Sequence, residues 1–171
     1  MTQTDSPSRD GSNAETKLGD LLDDFKCGML TTVAPDASVV SRPMWIADRG
    51  DTGELWFATD RDSAKVHEAN SHHHAAVVFQ GDSKFISLSG TLGIVDDHAK
   101  VRQMWSEFWR VWFPDGPDDD SIVLLHFKPD TGEYWDNSGL TGWRYMVKAG
   151  VAYFTGQRPD QDADINAQVK L

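Results

Sequence analysis

Val39-Val40-Ser41-Arg42-Pro43-Met44-Trp45-Ile46-Ala47 and Glu54-Leu55-Trp56-Phe57-Ala58-Thr59 read as two strands, joined by the hairpin connection Arg49-Gly50-Asp51-Thr52-Gly53. Pro43 cannot donate to a ladder, which places the first strand at an edge or a bulge. Upstream, Met29 to Val33 forms a strand that turns at Ala34-Pro35-Asp36-Ala37. Downstream, Ala75 to Phe79 and Phe85 to Val95 make another pair around Gln80-Gly81-Asp82-Ser83, with Gly90-Thr-Leu-Gly93 as a packing or bulge feature. Ile122 to Phe127 and Gly132 to Trp135 form the last clear hairpin, and Val151 to Phe154 a further short strand.

Three helices flank these strands. Leu18, Leu21, Leu22 and Phe25 recur at helical spacing before Gly28 stops them. Asp60 to Asn70 reads as a helix capped at Ser63, and Asp97 to Trp112 carries Val101, Met104, Trp105, Phe108, Trp109 and Trp112 on one face. Phe113 to Pro117 is irregular. Short hairpin strands with two or three helices predict an α+β or mostly β fold, a barrel and not a doubly wound sheet. The organisation expected is a disordered tail at 1–16, one domain at 17–156 and a polar tail at 157–171.

The composition, 39% hydrophobic and 25% charged, is that of a soluble globular chain. No apolar run suits a membrane helix or a signal core. The single cysteine, Cys27, cannot close an internal disulfide and reads as a buried free thiol, which fits a reducing, cytoplasmic setting. Sixteen Lys and Arg against 27 Asp and Glu leave a net charge of −11, which disfavours nucleic acid and anionic lipid as partners. Small molecules and a second copy of the chain remain.

His72-His73-His74 invites a metal reading, but consecutive strand residues point to opposite faces, so these histidines are assigned a structural or surface role. Seven Trp and eight Phe exceed what the core of a small barrel needs, and Trp45, Trp112 and Trp135 adjoin polar or turn segments, where a planar ligand can stack. Arg42, Thr59, Arg61, Ser63 and Lys65 place three cations and two hydroxyls within 24 residues, beside a helix start whose free N–H groups favour an anion. Arg offers a planar fork to phosphate oxygens and Lys a point charge. A phosphate site and a solvated charged loop both fit that spacing.

Arg42-Pro43-Met44-Trp45, Leu55-Trp56-Phe57-Ala58-Thr59 and Ser63-Ala64-Lys65-Val66 also carry a resemblance. In order with Ser89-Gly90-Thr91, Trp112-Phe113-Pro114-Asp115-Gly116-Pro117-Asp118-Asp119 and Glu133-Tyr134-Trp135-Asp136, they resemble the pyridoxamine 5′-phosphate oxidase-like family. The nearest branch is the bacterial general stress proteins with an FMN-binding split barrel. The resemblance runs from Leu18 to Trp143 and implies a six-stranded antiparallel split β-barrel, working as a homodimer with two FMN sites at the interface.

On this chain it implies that Arg42, Ser63 and Lys65 hold the FMN phosphate, assisted by Thr59. The backbone of Pro43, Met44 and Trp45, and of Phe57 and Ala58, would lie along the isoalloxazine ring. Trp112 would meet the ring's outer edge, and Trp135 would reach the flavin from the other subunit.

True pyridoxamine phosphate oxidases carry Arg-x-His-x-Arg after the late Trp. Here Trp135 is followed by Asp136-Asn137-Ser138-Gly139-Leu140-Thr141-Gly142-Trp143-Arg144, in which Arg144 alone can stand in, and the position of that enzyme's flavin-contacting glutamine falls near Phe85, which removes one polar contact to the ring. The resemblance therefore implies an FMN-dependent oxidoreductase of another substrate. Its alternatives are a stress protein that stores or senses flavin without turnover, and a split-barrel module for haem or the deazaflavin F420.

Overall fold

Alternation along each strand decides its facing, and in the computed structural model, which describes residues 9–50, 53–136 and 166–171, that alternation builds one curled sheet. In β1 (Cys27–Val33), Gly28, Leu30 and Thr32 turn inward while Met29 faces out. β2 (Val39–Trp45) and the two-residue β3 (Asp48–Arg49) follow, then β4 (Leu55–Asp60). Leu55 and Phe57 of β4 fill the barrel, while Trp56 is buried on the outer face, so this strand is covered on both sides. β5 (His74–Gly81) and β6 (Lys84–Val95) pair as a tight hairpin, with Asp82 and Ser83 at positive φ in its turn.

The order of hydrogen-bonded strands is β2-β1-β5-β6-β7-β4-β3. Only Ile46 and Ala47 separate β2 from β3 in the chain, so the two ends of that order are joined covalently and the sheet closes into a split barrel. Six long strands form it, the number the resemblance implies, with β3 and β8 (Asn166–Lys170) added as short extras. β2 has β1 as its partner and stands at the end of the order, which tolerates Pro43. Inside lie Leu30, Phe57, Val77, Phe79, Ile86, Leu88, Leu125 and Phe127, each contributing about 1.5–3 kcal/mol by leaving water. A second, smaller core of Trp56, Val101, Trp109, Phe113, Ile122 and Leu124 seals the outer face of β4 and β7.

Several sequence expectations change. The predicted hairpin after Ile122 is one strand, β7 (Ile122–Asp136), because Pro129-Asp130 forms a bulge where the register with β6 shifts between Ser89 and Gly90. Gly90 is required there: a Cβ would stand 2.0 Å from the Lys128 carbonyl oxygen. Gly28 does not stop the first helix. α1 (Arg9–Leu22) begins within the expected tail and ends before Gly28, which sits in β1 because a Cβ there would meet Phe79 at 2.6 Å.

The helix expected over Asp97–Trp112 breaks into α3 (His98–Met104) and a 3₁₀ turn, Glu107–Val111, since Asp97 caps the first and the Ser106 hydroxyl accepts from Phe108 N to start the second. Asn166–Lys170, expected in a polar tail, pairs with β7. The strand expected at 151–154, together with Trp143 and Arg144, lies outside the described residues. No helix among the described residues is long and apolar enough to cross a membrane.

Candidate functional site

The split between β2 and β4 is a cleft of about 580 Å³, within the usual range of small-molecule sites. β2 lines one wall with Arg42, Pro43, Met44 and Trp45, and β4 lines the other with Ala58, Thr59 and Asp60. Lys65, from the first turn of α2 (Ala64–Ser71), closes one end. Trp109, Trp112 and Phe113 form the remainder, on the segment that follows α3.

The closed end is polar. Lys65 Nζ donates to Thr59 Oγ1 at 2.8 Å, and that hydroxyl lies 3.2 Å from Ser63 Oγ. Ser63 occupies the N-cap position of α2, but its hydroxyl turns to Thr59 and makes no cap bond. Burial, and then the positive charge of Arg42, hold the Lys65 ammonium below its ordinary pKa, against the opposing pull of Asp60 and Glu68. Arg42 Nη2 donates to Glu68 Oε2 at 2.6 Å, and its Nη1 donates to Thr32 Oγ1. Two cations are thus gathered at a partly desolvated end, an arrangement suited to an oxyanion.

The open end is aromatic. Trp45 and Trp112 are 45% and 57% exposed at the mouth, and Phe108 stands between them with ring centroids 5.0 Å from Trp45 and 5.1 Å from Trp112. Trp109 and Phe113 are buried behind them. A wall of ring faces and strand backbone suits a flat, partly apolar ligand.

Of the residues singled out from sequence, Arg42, Pro43, Met44, Trp45, Ala58, Thr59, Lys65 and Trp112 line this one cleft, and Ser63 adjoins it through Thr59. Phe57, expected along the ring, is not among the residues that line the cleft, because its side chain is fully buried in the barrel. Trp135, on β7, pairs with Phe85 of β6 and does not line this chain's cleft. Arg61 leaves the expected cation cluster: it donates to Asp96 through Nη1 and Nη2, at 2.5 and 2.9 Å, and to the Asp120 carbonyl.

Cys27 opens β1 and is half-buried, not buried at a helix end as expected, and burial raises its thiol pKa against a backbone hydrogen bond from Met44. His73 Nδ1 meets the Ala69 carbonyl at 3.1 Å and His74 starts β5. Asp60, Trp109, Phe113, Thr32 and Glu68 were not foreseen. The spacing of Glu68, one helical turn after Lys65, was the available signal for the last of these.

Comparison with known proteins joins this chain to a family. A model of proteins described as pyridoxamine 5′-phosphate oxidase like matches residues 13–160. The chain belongs to that family. Among solved members of similar fold, a candidate general stress protein 26 from Jannaschia sp. CCS1 superposes with a TM-score of 0.70 at 26% identity, over 94% of this chain and 99% of that one.

The general stress FMN/FAD binding protein of Xanthomonas citri superposes at 0.64 with 26% identity, over 75% of this chain and 92% of its own. Protein bli-3 of Neurospora crassa is 28% identical over an alignment of 135 positions, which takes in 70% of this chain. The chain spans 65% of the length of that curated relative. The pyridoxamine 5′-phosphate oxidase-like fold and its solved relatives among general stress proteins thus agree with the split barrel described above.

Proposed function

We propose that the cleft binds FMN, with the phosphate at the Lys65 end and the flavin ring between β2 and the aromatic mouth. The observation that carries this is the sharing of one end of the cleft by Lys65 and Arg42 in a chain of net charge −11. The residues present fit the group: Lys65, Ser63, Thr59 and the Arg42 guanidinium match phosphate oxygens, and Trp112 and Trp45 match a flat ring. A related protein from Xanthomonas citri is described as binding FMN or FAD.

We further propose that the protein is an FMN-dependent oxidoreductase. Bound flavin supplies the electron transfer, so the chain's task is to bind, orient and shield. Lys65 and Arg42 anchor one end, Pro43 and Ala58 flank the ring with strand backbone, and the tryptophans exclude water from the mouth. The substrate is not pyridoxamine 5′-phosphate, because one basic residue, Arg144, stands in the nine positions after Trp135.

The working unit is a homodimer. Met29, Val78 and Phe85 are exposed on one outward face of β1, β5 and β6, next to Trp135, so a second chain burying that patch would bring Trp135 toward a neighbouring cleft. Light scattering on the purified protein tests this.

An absorbance scan and titration with FMN test the main reading: a flavin band and saturable binding support it, and a chain that stays colourless after incubation with FMN overturns it. Reduction of the bound flavin by NADH or NADPH, with steady turnover to an acceptor, supports the oxidoreductase. Bound FMN without turnover supports storage or sensing.

A further inference from the structure

Glu68 stands outside the cleft, 5% exposed, and reaches Arg42 from within the fold. Its Oε2 accepts from Arg42 Nη2 at 2.6 Å and from the Thr32 hydroxyl at 2.5 Å, and the same hydroxyl accepts from Arg42 Nη1. Thr32 is 1% exposed. The three groups form a closed ring of hydrogen bonds within the chain.

The charges at this end of the cleft balance. Arg42 and Lys65 bring two positive charges, and Asp60 and Glu68 bring two negative ones. A dianion entering here meets cations that already have counter-charges, and a buried pair is little screened by salt. Without Glu68, Asp60 alone would face two adjacent and partly desolvated cations in the ligand-free chain. The same carboxylate therefore stabilises the empty protein and opposes the incoming phosphate.

Resting on the flavin reading above, we infer that Glu68 is an internal counter-ion to Arg42 that sets how tightly the phosphate of the cofactor is held, keeping FMN exchangeable. It acts through Arg42 and is a positioning residue. The chemistry it tunes is discrimination between a phosphorylated flavin and the same ring without phosphate.

Glu68→Gln keeps an acceptor for Arg42 and Thr32 and removes the charge. Fluorescence titration of the apoprotein with FMN and with riboflavin is the measurement. The expected result is FMN binding tighter by on the order of tenfold, riboflavin changed by less than about twofold, and a lower melting temperature for the ligand-free variant. Glu68→Asp, which keeps the charge, should return the FMN-to-riboflavin ratio toward the native one. An unchanged ratio in Glu68→Gln, or equal weakening of both ligands, overturns the inference while leaving the flavin reading intact.

Native protein that binds FMN no tighter than riboflavin overturns the phosphate assignment itself, and this inference with it. Should Glu68→Gln fail to fold, the native protein decides: FMN affinity nearly flat between about 0.05 and 0.5 M salt supports a charge-balanced site, and a steep fall overturns it.

Discussion

Lys65 Nζ lies 2.8 Å from Thr59 Oγ1, so the first turn of α2 is tied to the penultimate residue of β4 by a side-chain bond across the end of the cleft. Thr59 is 4% exposed and Lys65 is partly buried, so the ammonium is held at one place on a rigid frame. That bond uses one of its three donors.

Lys65→Met should weaken FMN binding by about 1–3 kcal/mol, the usual worth of charge-assisted bonds, and leave riboflavin binding unchanged. The Glu68–Arg42–Thr32 ring does not involve Lys65, so the variant should fold as the native chain does. Paired titrations with the two flavins check it, and equal losses for both would count against a phosphate at this end.

Arg42→Ala should behave differently. It removes a proposed phosphate donor, at a similar cost of about 1–3 kcal/mol in FMN binding. It also strands the buried Glu68 carboxylate, which costs about 3–5 kcal/mol in folding. Denaturant unfolding of ligand-free Arg42→Ala beside Lys65→Met should show the larger loss in the arginine variant.

Trp112→Ala removes an exposed ring that packs edge-on against Phe108. If that ring faces the flavin and not its phosphate, as proposed, FMN and riboflavin should weaken together, each by about 1 kcal/mol. A loss confined to FMN would put the flavin ring elsewhere.

His126 gives the protein an acid-sensitive point. Its ring lies flat on Trp56, with centroids 3.7 Å apart and planes 8° from parallel, and Lys100 sits 3.6 Å above that indole's ring centroid. Burial lowers the His126 pKa. Lys128 and Lys100 add to that, and Glu54, 3.4 Å from Nε2, opposes it. The unfolded chain takes up the proton near pH 6.5 and the folded one resists it, so this stability is present above about 6.5 and is lost as pH falls through the folded value. Melting temperature should drop between about pH 7 and pH 5, and His126→Phe, which keeps a stacked ring without titration, should flatten that part of the drop.

Two glycines three positions apart in β6 should differ sharply on substitution. A Cβ at Gly90 meets the Lys128 carbonyl at 2.0 Å and Pro129 Cα at 2.7 Å, both immovable backbone, whereas at Gly93 the nearest atom is 3.9 Å away. Gly90→Ala should cost about 3 kcal/mol or more, and Gly93→Ala less than about 1 kcal/mol, by denaturant unfolding.

Strand positions were legible because burial on one face imposes a period of two, and β6 shows it from Ile86 to Leu92. The long β7 was not, since Pro129-Asp130-Thr131-Gly132 has the residues of a turn, and only pairing with β6 makes it a bulge. The break after α3 was hidden for a similar reason: apolar spacing continues through Trp105, while the Ser106 hydroxyl starts a new turn. Arg61 and Arg42 look alike in sequence. Arg61 is captured by Asp96, 35 positions away, and Arg42 by Glu68, 26 positions away.

The order of residues by itself determined which side chains alternate into the barrel, where a proline or glycine is tolerated, and which cations and aromatic rings were available for a site. These follow from local sterics and from the cost of exposing apolar surface. Tertiary structure alone decided which cation faces the cleft, which is spent on a distant aspartate, and that a buried carboxylate stands behind Arg42. Each of those depends on contacts between residues far apart in the chain, and ion pairs take whichever partner the fold brings within about 4 Å.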